Sequence, residues 1–220
     1  MDDGNDELIE VSREGRIVNA IQLVENGADV NAKNDSGGSA LSRAAQSGHL
    51  DIVTYLVSKG AEVDIRDDYG CTALMWAAIG GSLKVTMFLI ESGADVNASN
   101  DFGSTVMIWA AQYGNLEIAK LLLEKGAEID VKNKSGNTAL IESVICRHFE
   151  MVGMILEKGA SPYIKNNSGE SAYDIALRLK FMEITDLFPQ GIAKKAMADG
   201  RGALARLKRV AHLPDKQKVT

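Results

Sequence analysis

Apolar residues recur at helical spacing in short, paired runs along most of this chain. The clearest pair lies in residues 105–113 and 116–124, where apolar side chains fall at i, i+3 and i+4. Runs of about nine residues are marginal as isolated helices in water. The pattern therefore predicts an all-α protein in which short helices are stabilised by packing against neighbouring helix pairs.

Glycines repeat along the chain with a constant period of 33 residues. Those that close the paired runs are Gly27, Gly60, Gly93, Gly126 and Gly159. Those that open them are Gly37, Gly70, Gly103, Gly136 and Gly169. A constant period through five copies indicates a stacked array of units without insertions.

The units open with sequences such as GGSALSRAA and GCTALMWAA and close with GADVNAKND and GADVNASND. These sequences resemble the ankyrin repeat family, whose opening motif is G-x-T-P-L-H-x-A-A and whose closing motif is G-A-D-V-N. The resemblance covers residues 6 to about 188. It implies an ankyrin-repeat solenoid of stacked helix-turn-helix units with hairpin-like finger loops.

Each unit departs from the family motif at two positions. The family's proline and histidine are absent, and the residues in their places are Ala40, Ala73, Val106, Ala139 and Ala172, and Ser42, Met75, Ile108, Ile141 and Asp174. The hydrogen bonds that threonine and histidine supply in the family consensus must be partly replaced. We therefore expect the same fold with less stability than a consensus array.

One irregular position falls in the unit that opens at Gly136. Arg147 stands where the preceding units have Gly48, Gly81 and Gly114. Because this position favours a left-handed backbone, we expect local strain at Arg147.

Charge divides the chain into an acidic array and a basic tail. Residues 1–188 hold sixteen Lys and Arg against twenty-eight Asp and Glu, a net charge of −12, and residues 189–220 hold eight against two, a net charge of +6. We predict about six repeat units in residues 1–188, with the first and last as caps. The first unit is expected to start with Asp6 as an N-cap residue and to have its second helix over Ile17–Glu25, and the last helix is expected over Met182–Phe188. In the tail, residues 203–213 are expected to form a capping helix, and the chain from Pro214 onward to be disordered.

Composition favours a soluble intracellular protein. The first seven residues are acidic and polar, unlike a signal peptide, and no apolar run approaches the ~20 residues that span a bilayer. The two cysteines, Cys71 and Cys146, lie in non-adjacent units, which suits a reducing compartment. The expected location is cytoplasmic, with a nuclear location left open.

Residues that could carry chemistry are few. No cluster of Cys and His has zinc-binding spacing, and no glycine-rich loop follows a strand. His49 and His148 occupy matching positions where the family often has histidine, and Asp67 and Asp68 suit solvated finger residues. We therefore predict no enzymatic activity and no cofactor or metal.

The family resemblance implies a protein–protein interaction module: an adaptor, an inhibitor or a targeting subunit. The partner would be a protein that binds a concave groove and the fingers, the chain itself being a monomer with no small-molecule substrate. The alternative is a binder of acidic membrane or nucleic acid that acts through its basic tail, with the array as a scaffold.

Aromatic residues concentrate at the family's finger and groove positions. Five of the twelve aromatics fall there, in two adjacent units, and Trp76 and Trp109 occupy matching positions. Since Trp, Tyr and Arg dominate interface energetics, a hot spot centred on the two tryptophans is predicted. The alternative is that the tryptophans only pack between helices. The predicted protein-binding residues are Arg43, Arg66, Asp68, Tyr69, Trp76, Asp101, Phe102, Trp109, Tyr113 and Glu142.

The charged members of this set have a separate predicted role. Arg43 and Arg66 on one side, and Asp101 and Glu142 on the other, are expected to orient the partner and set its encounter rate.

Overall fold

The computed structural model describes residues 4–189 of the chain, which form an all-α repeat fold of twelve helices in six consecutive pairs. The helices are α1 Asn5–Glu14, α2 Ile17–Glu25, α3 Ala40–Ser47, α4 Leu50–Ser58, α5 Ala73–Gly80, α6 Leu83–Glu91, α7 Val106–Gln112, α8 Leu116–Glu124, α9 Ala139–Ile145, α10 Phe149–Glu157, α11 Ala172–Arg178 and α12 Met182–Thr185. The described residues divide into two compact units at the junction between Glu128 and Ile129, the first with α1–α8 and the second with α9–α12.

Each unit has its own helix packing and its own apolar core. In the first unit α3 packs between α1 and α5, and α5 packs against α7. In the second unit α9 packs against α10 and α11, and α12 packs against α10 and α11. Fully buried leucine, methionine and isoleucine side chains fill the first core, among them Leu41, Leu56, Leu74, Met75, Leu89, Met107, Ile108 and Leu122.

A hydroxyl side chain starts the first helix of each pair after α1. The N-cap residues Ser39, Thr72, Thr105, Thr138 and Ser171 each accept a hydrogen bond from the backbone N–H three residues on. Ser42 and Asp174, at the family's histidine position, accept a hydrogen bond from the N-cap backbone N–H, with lengths of 3.0 and 2.9 Å. In these two helices, part of the missing consensus hydrogen bonding is thus replaced.

The predicted hairpin-like fingers are the loops at 33–39, 66–72, 99–105, 132–138 and 165–171. An Asn or Asp second in each loop folds it, because its side-chain oxygen accepts hydrogen bonds from the backbone N–H groups two and four residues on. In the second finger, Asp67 Oδ1 accepts from Tyr69 N at 3.0 Å and from Cys71 N at 2.8 Å. Isolated bridges close the first, third and fifth fingers.

Neighbouring fingers within a unit are joined by backbone hydrogen bonds. Asp101 N in the third finger donates to Tyr69 O in the second at 2.9 Å. Gly70 has φ 74°, and a Cβ at this position would lie 2.6 Å from Asp101 Oδ1. Only glycine satisfies both the backbone angle and the close approach of the next finger.

In four repeats, the turn between the two helices is contacted by a residue 34 positions further along the chain. In the first unit these contacts join Gly15 to His49, Gly48 to Ser82 and Gly81 to Asn115. His49 also has its Nε2 3.1 Å from Arg13 O, in agreement with the structural role predicted for it.

The prediction for Arg147 is confirmed, since its φ is 60°. Its guanidinium carbon lies 5.2 Å from the ring centroid of Phe181, which is 34 residues further on. Lys180 also has a positive φ of 59°, a feature that the sequence pattern did not predict.

Some predicted boundaries are wrong or fall outside the described residues. Helix α1 begins at Asn5 with Gly4 as its N-cap residue, so Asp6 lies in the first turn and is not the cap. Helix α12 ends at Thr185, although the apolar pattern runs to Phe188. The capping helix predicted at 203–213 and the disorder predicted after Pro214 both lie outside the described residues.

None of the helices within residues 4–189 has the length and apolar character that crossing a bilayer requires.

Candidate protein-binding surface

Nine of the ten predicted site residues lie in the first compact unit. Arg66, Asp68 and Tyr69 are in the second finger, and Asp101 and Phe102 are in the third. Arg43 is in α3, Trp76 in α5, Trp109 in α7, and Tyr113 is the C-cap residue of α7. Glu142 is in α9 of the second unit.

The tips of the second and third fingers carry a pair of exposed rings. Tyr69 and Phe102 are each 56% exposed. Their ring centroids are 6.4 Å apart and their planes differ by 25°, so the two rings are stacked. The hydrogen bond from Asp101 N to Tyr69 O joins the backbones of the two fingers directly beside these rings.

Trp76 is partly buried and contacts polar groups through both its edge and its face. Its indole Nε1 donates to Asp67 Oδ2 at 2.9 Å. The guanidinium of Arg43 lies over the ring, 5.9 Å from its centroid. Arg43 Nη2 in turn donates to Ser36 Oγ at 3.3 Å, so the first finger, α3 and α5 meet at this side chain.

Trp109 occupies the matching position in the next repeat but lacks the matching hydrogen bond. Its Nε1 is buried and has no hydrogen-bond partner among residues 4–189. The residue that corresponds to Asp67 is Asn100, whose Oδ1 accepts from Phe102 N and Ser104 N, both at 3.0 Å. The amide of Asn100 donates to Cys71 Sγ at 3.4 Å, and an amide nitrogen cannot accept a bond from an indole N–H.

Tyr113 places a further exposed ring beside Trp109. It is 50% exposed, and its ring centroid is 6.1 Å from that of Trp109 with planes 40° apart. In the second unit, Glu142 corresponds to the tryptophans, and its Oε1 accepts from Asn133 Nδ2 at 3.3 Å and from Asn137 Nδ2 at 2.9 Å. The same repeat position therefore holds an indole in two repeats and a carboxylate in a third.

The charged residues at the fingers divide into those with partners and those without. Arg66 Nη1 donates to Ser99 O at 2.7 Å and to Gly70 O at 3.0 Å, which ties the second finger to the third. The carboxylates of Asp68 and Asp101 are exposed, and within residues 4–189 they have no hydrogen-bond or ion-pair partner. Arg66 thus has a structural role, whereas the two aspartates face solvent.

Sequence comparison agrees with this architecture. A family model described as "Ankyrin repeats (3 copies)" matches residues 8–100 and 88–166, more than half of the chain. The chain belongs to the ankyrin repeat family. Ankyrin repeats are generally protein–protein interaction modules and typically have no enzymatic activity. No curated protein matches the sequence.

Two residues of this ankyrin repeat surface have roles that the sequence did not predict. Asp67, interpreted as a solvated residue, instead binds two backbone N–H groups and the indole of Trp76. Gly80 ends α5 where a Cβ would overlap the carbonyl oxygen of Gln46 in α3, so it sets how closely these helices approach. The repeat register is the sequence signal that could have pointed to these two residues. Asp67 lies nine residues before Trp76, and Gly80 occupies the repeat position that Tyr113 holds in the next repeat.

The thiols of the ankyrin repeat chain are both free. Burial raises the pKa of Cys71, and its hydrogen bond from Asn100 opposes that shift. Burial and, to a lesser extent, the carboxylate of Glu142 raise the pKa of Cys146. Both shifts favour the protonated thiol over the nucleophilic thiolate. Among residues 4–189, no group of three or more His, Cys, Asp or Glu side chains could hold a metal ion.

Proposed function

We propose that this chain is a protein-binding ankyrin repeat module, acting as an adaptor, an inhibitor or a targeting subunit. Its partner binds the aromatic surface, defined as Tyr69, Trp76, Phe102, Trp109 and Tyr113. The observation that carries the proposal is the exposure of three of these rings, at 56%, 56% and 50%, within one compact unit. Clustered exposed aromatics of this kind mark interaction sites on proteins.

The five rings differ in what they contribute to such an interface. Trp76 and Trp109 are partly buried, so their side chains lose little further conformational entropy when a partner contacts them. Tyr69, Phe102 and Tyr113 supply the apolar area that a partner covers. Trp and Tyr are enriched among the residues whose truncation costs more than about 2 kcal/mol of binding free energy.

The experiment begins with proximity labelling in cells, with the full chain as bait, followed by purification of the labelled partner. Trp76→Ala and Trp109→Ala should each weaken binding by about 2 kcal/mol, about thirtyfold in Kd. The double variant Tyr69→Ala/Phe102→Ala removes exposed rings only, so it should weaken binding without lowering the melting temperature. Isothermal titration calorimetry measures the affinities.

Tyr163→Ala is the matched control, because Tyr163 is 63% exposed but lies in the second unit. This variant should bind as the wild type does. If the tryptophans only pack between helices, the double variant Trp76→Ala/Trp109→Ala will melt lower yet bind with unchanged affinity. That result would contradict the proposal.

A further inference from the structure

The fingertips combine exposed aromatic rings with exposed carboxylates. Asp68 immediately precedes Tyr69, and Asp101 immediately precedes Phe102, so each fingertip carries one acid and one ring. All four side chains are exposed. We refer to these four residues as the fingertip site.

The two carboxylates lie close to the backbone of the preceding finger but are not neutralised. A Cβ at Gly70 would lie 2.6 Å from Asp101 Oδ1, and Asp68 approaches Gly37 in the same way, so each carboxylate rests against the preceding finger. Neither is within ion-pair distance of a described Lys or Arg. Arg66, the cation of the second finger, donates to two backbone carbonyls.

The charge of the surrounding unit has the same sign. Residues 1–128 hold nine Lys and Arg against twenty Asp and Glu, a formal charge of −11. A field of this sign raises the association rate of basic partners and lowers that of acidic ones. The stacked rings present a π surface, which attracts cations.

We propose that the fingertip site binds an arginine side chain presented by a basic segment of the protein partner, an inference that rests on the proposed function. A guanidinium is planar, so it can stack on the rings while its N–H groups donate to a carboxylate. A lysine ammonium is a compact, strongly hydrated charge without this planar fit. The combination of aromatic rings and carboxylates in the fingertip site therefore favours arginine over lysine.

The test is a phage-display selection of a random twelve-residue peptide library on the immobilised full chain, with fluorescence anisotropy of the selected peptides. The selected peptides should be enriched in arginine. Replacing that arginine with neutral, isosteric citrulline should weaken binding about tenfold, and with lysine by a smaller factor. The double variant Asp68→Asn/Asp101→Asn should weaken the binding of the arginine peptides but not the binding of their citrulline versions. Asp35→Asn, which neutralises a carboxylate in the first finger, is the control and should leave affinity unchanged.

Three results would overturn the inference. Selected peptides that lack arginine, or that bind equally well with citrulline, would show that the fingertip site does not read a guanidinium. Self-association of the full chain in sedimentation velocity, if lost in the double aspartate variant, would assign the site to a second copy. Arginine-free peptides that depend on Trp76 and Trp109 would leave the proposed function standing, whereas binding that is unchanged both in the tryptophan variants and in Tyr69→Ala/Phe102→Ala would contradict both.

Discussion

Asp67 and Asn100 occupy the same position in successive repeats, and their side chains differ only in one oxygen or nitrogen atom. The second carboxylate oxygen of Asp67 accepts the indole N–H of Trp76. Asn100 has an amide group in that place, and the indole N–H of Trp109 has no hydrogen-bond partner in the part of the chain that the structure describes. The two tryptophans are therefore held by different means, one by a hydrogen bond and the other by packing.

Replacing Asp67 with asparagine should give Trp76 the environment of Trp109. The free energy of unfolding should fall by about 1 kcal/mol, since a partly buried donor loses its acceptor and faces a second donor. Urea unfolding followed by tryptophan fluorescence measures the change. Asp35→Asn removes a carboxylate that holds no indole, and it should leave stability within about 0.5 kcal/mol of the wild type. Equal unfolding curves for Asp67→Asn and the wild type would contradict this account.

A second alternation of Asn and Asp occurs at positions 31, 64, 97 and 130. Asn31 and Asn97 each accept a backbone N–H and also donate to a glycine carbonyl, of Gly60 and Gly126, at 3.2 Å. Asp130 accepts from Ser161 N at 3.0 Å and has no proton to donate when ionised. Burial raises the pKa of Asp130, and the bond from Ser161 opposes that shift.

Asp130→Asn should stabilise the protein at pH 7. Because the folded-state pKa of Asp130 is raised above its unfolded value, its contribution to stability is present below the unfolded pKa and lost as pH rises through the folded pKa. Asparagine does not ionise, so this loss disappears, and its amide should donate to Gly159 O. Together these changes should raise the free energy of unfolding by about 1 kcal/mol. Urea unfolding should show the gain at pH 7 and a smaller gain below the carboxyl pKa. The reverse change, Asn97→Asp, should destabilise, and a stabilising result there would contradict the reasoning.

At the scale of the helix, two glycines that look alike in the sequence have opposite roles. Gly80 ends α5 against the carbonyl oxygen of Gln46, whereas Gly153 lies inside α10 with open space where a Cβ would be. Neither residue has a positive φ. Space alone, not backbone conformation, therefore decides what alanine does at each position.

Gly153→Ala should raise the free energy of unfolding by about 0.5–1 kcal/mol, because alanine loses less backbone entropy in a helix. Gly80→Ala should lower it by about 1–3 kcal/mol, because α3 and α5 must move apart. Thermal and urea unfolding of the two variants provide the comparison, each serving as the control for the other. A stabilised Gly80→Ala variant would show that the contact with Gln46 is not restrictive.

The sequence predicted the helices better than it predicted the site. The bounds of α2 and α8 agree with the apolar pattern, because glycine turns limit these helices on both sides. Helix α12 was overestimated because Phe188, although in register, is buried edge-on against Tyr173 at 5.6 Å. Periodicity identifies the apolar residues of a helix but not which partner each will contact.

The polar contacts of the aromatic surface were beyond sequence reasoning for a related reason. The register shows that Asp67 precedes Trp76 by nine residues within one repeat, but the bond depends on which atoms face each other. The same holds for Arg66, expected to orient a partner and found bonded to Ser99 O and Gly70 O. The family's repeat positions placed the rings in the second and third fingers, in α5 and in α7 with its C-cap residue, and the structure has them there.

For the whole molecule, the second unit carries the features that lower local stability. Arg147 and Lys180 are the two described residues other than glycine with positive φ, a conformation that costs roughly 1–2 kcal/mol per residue. Helix α12 has only four residues. Repeat arrays open in segments because each repeat is stabilised by its neighbours.

We expect backbone amides in residues 137–188 to exchange with solvent faster than those in residues 8–60. The reason is that the strained turns and the short helix α12 lower the free energy of local opening. Hydrogen exchange followed by mass spectrometry measures this difference directly. Faster exchange in residues 8–60 would contradict the expectation. The Arg147→Gly variant tests its cause, since it relieves one strained turn and should slow exchange around that residue.

The contacts that join four of the turns to residues 34 positions later also bear on how such a chain can be recombined. A chimera assembled from whole repeats would inherit one member of each contact and replace the other. Arg147 transplanted ahead of a repeat that lacks Phe181 would keep its strained turn and lose the ring under its guanidinium. The exchangeable segment of this protein is therefore longer than one period, and its junctions belong where no such contact is divided.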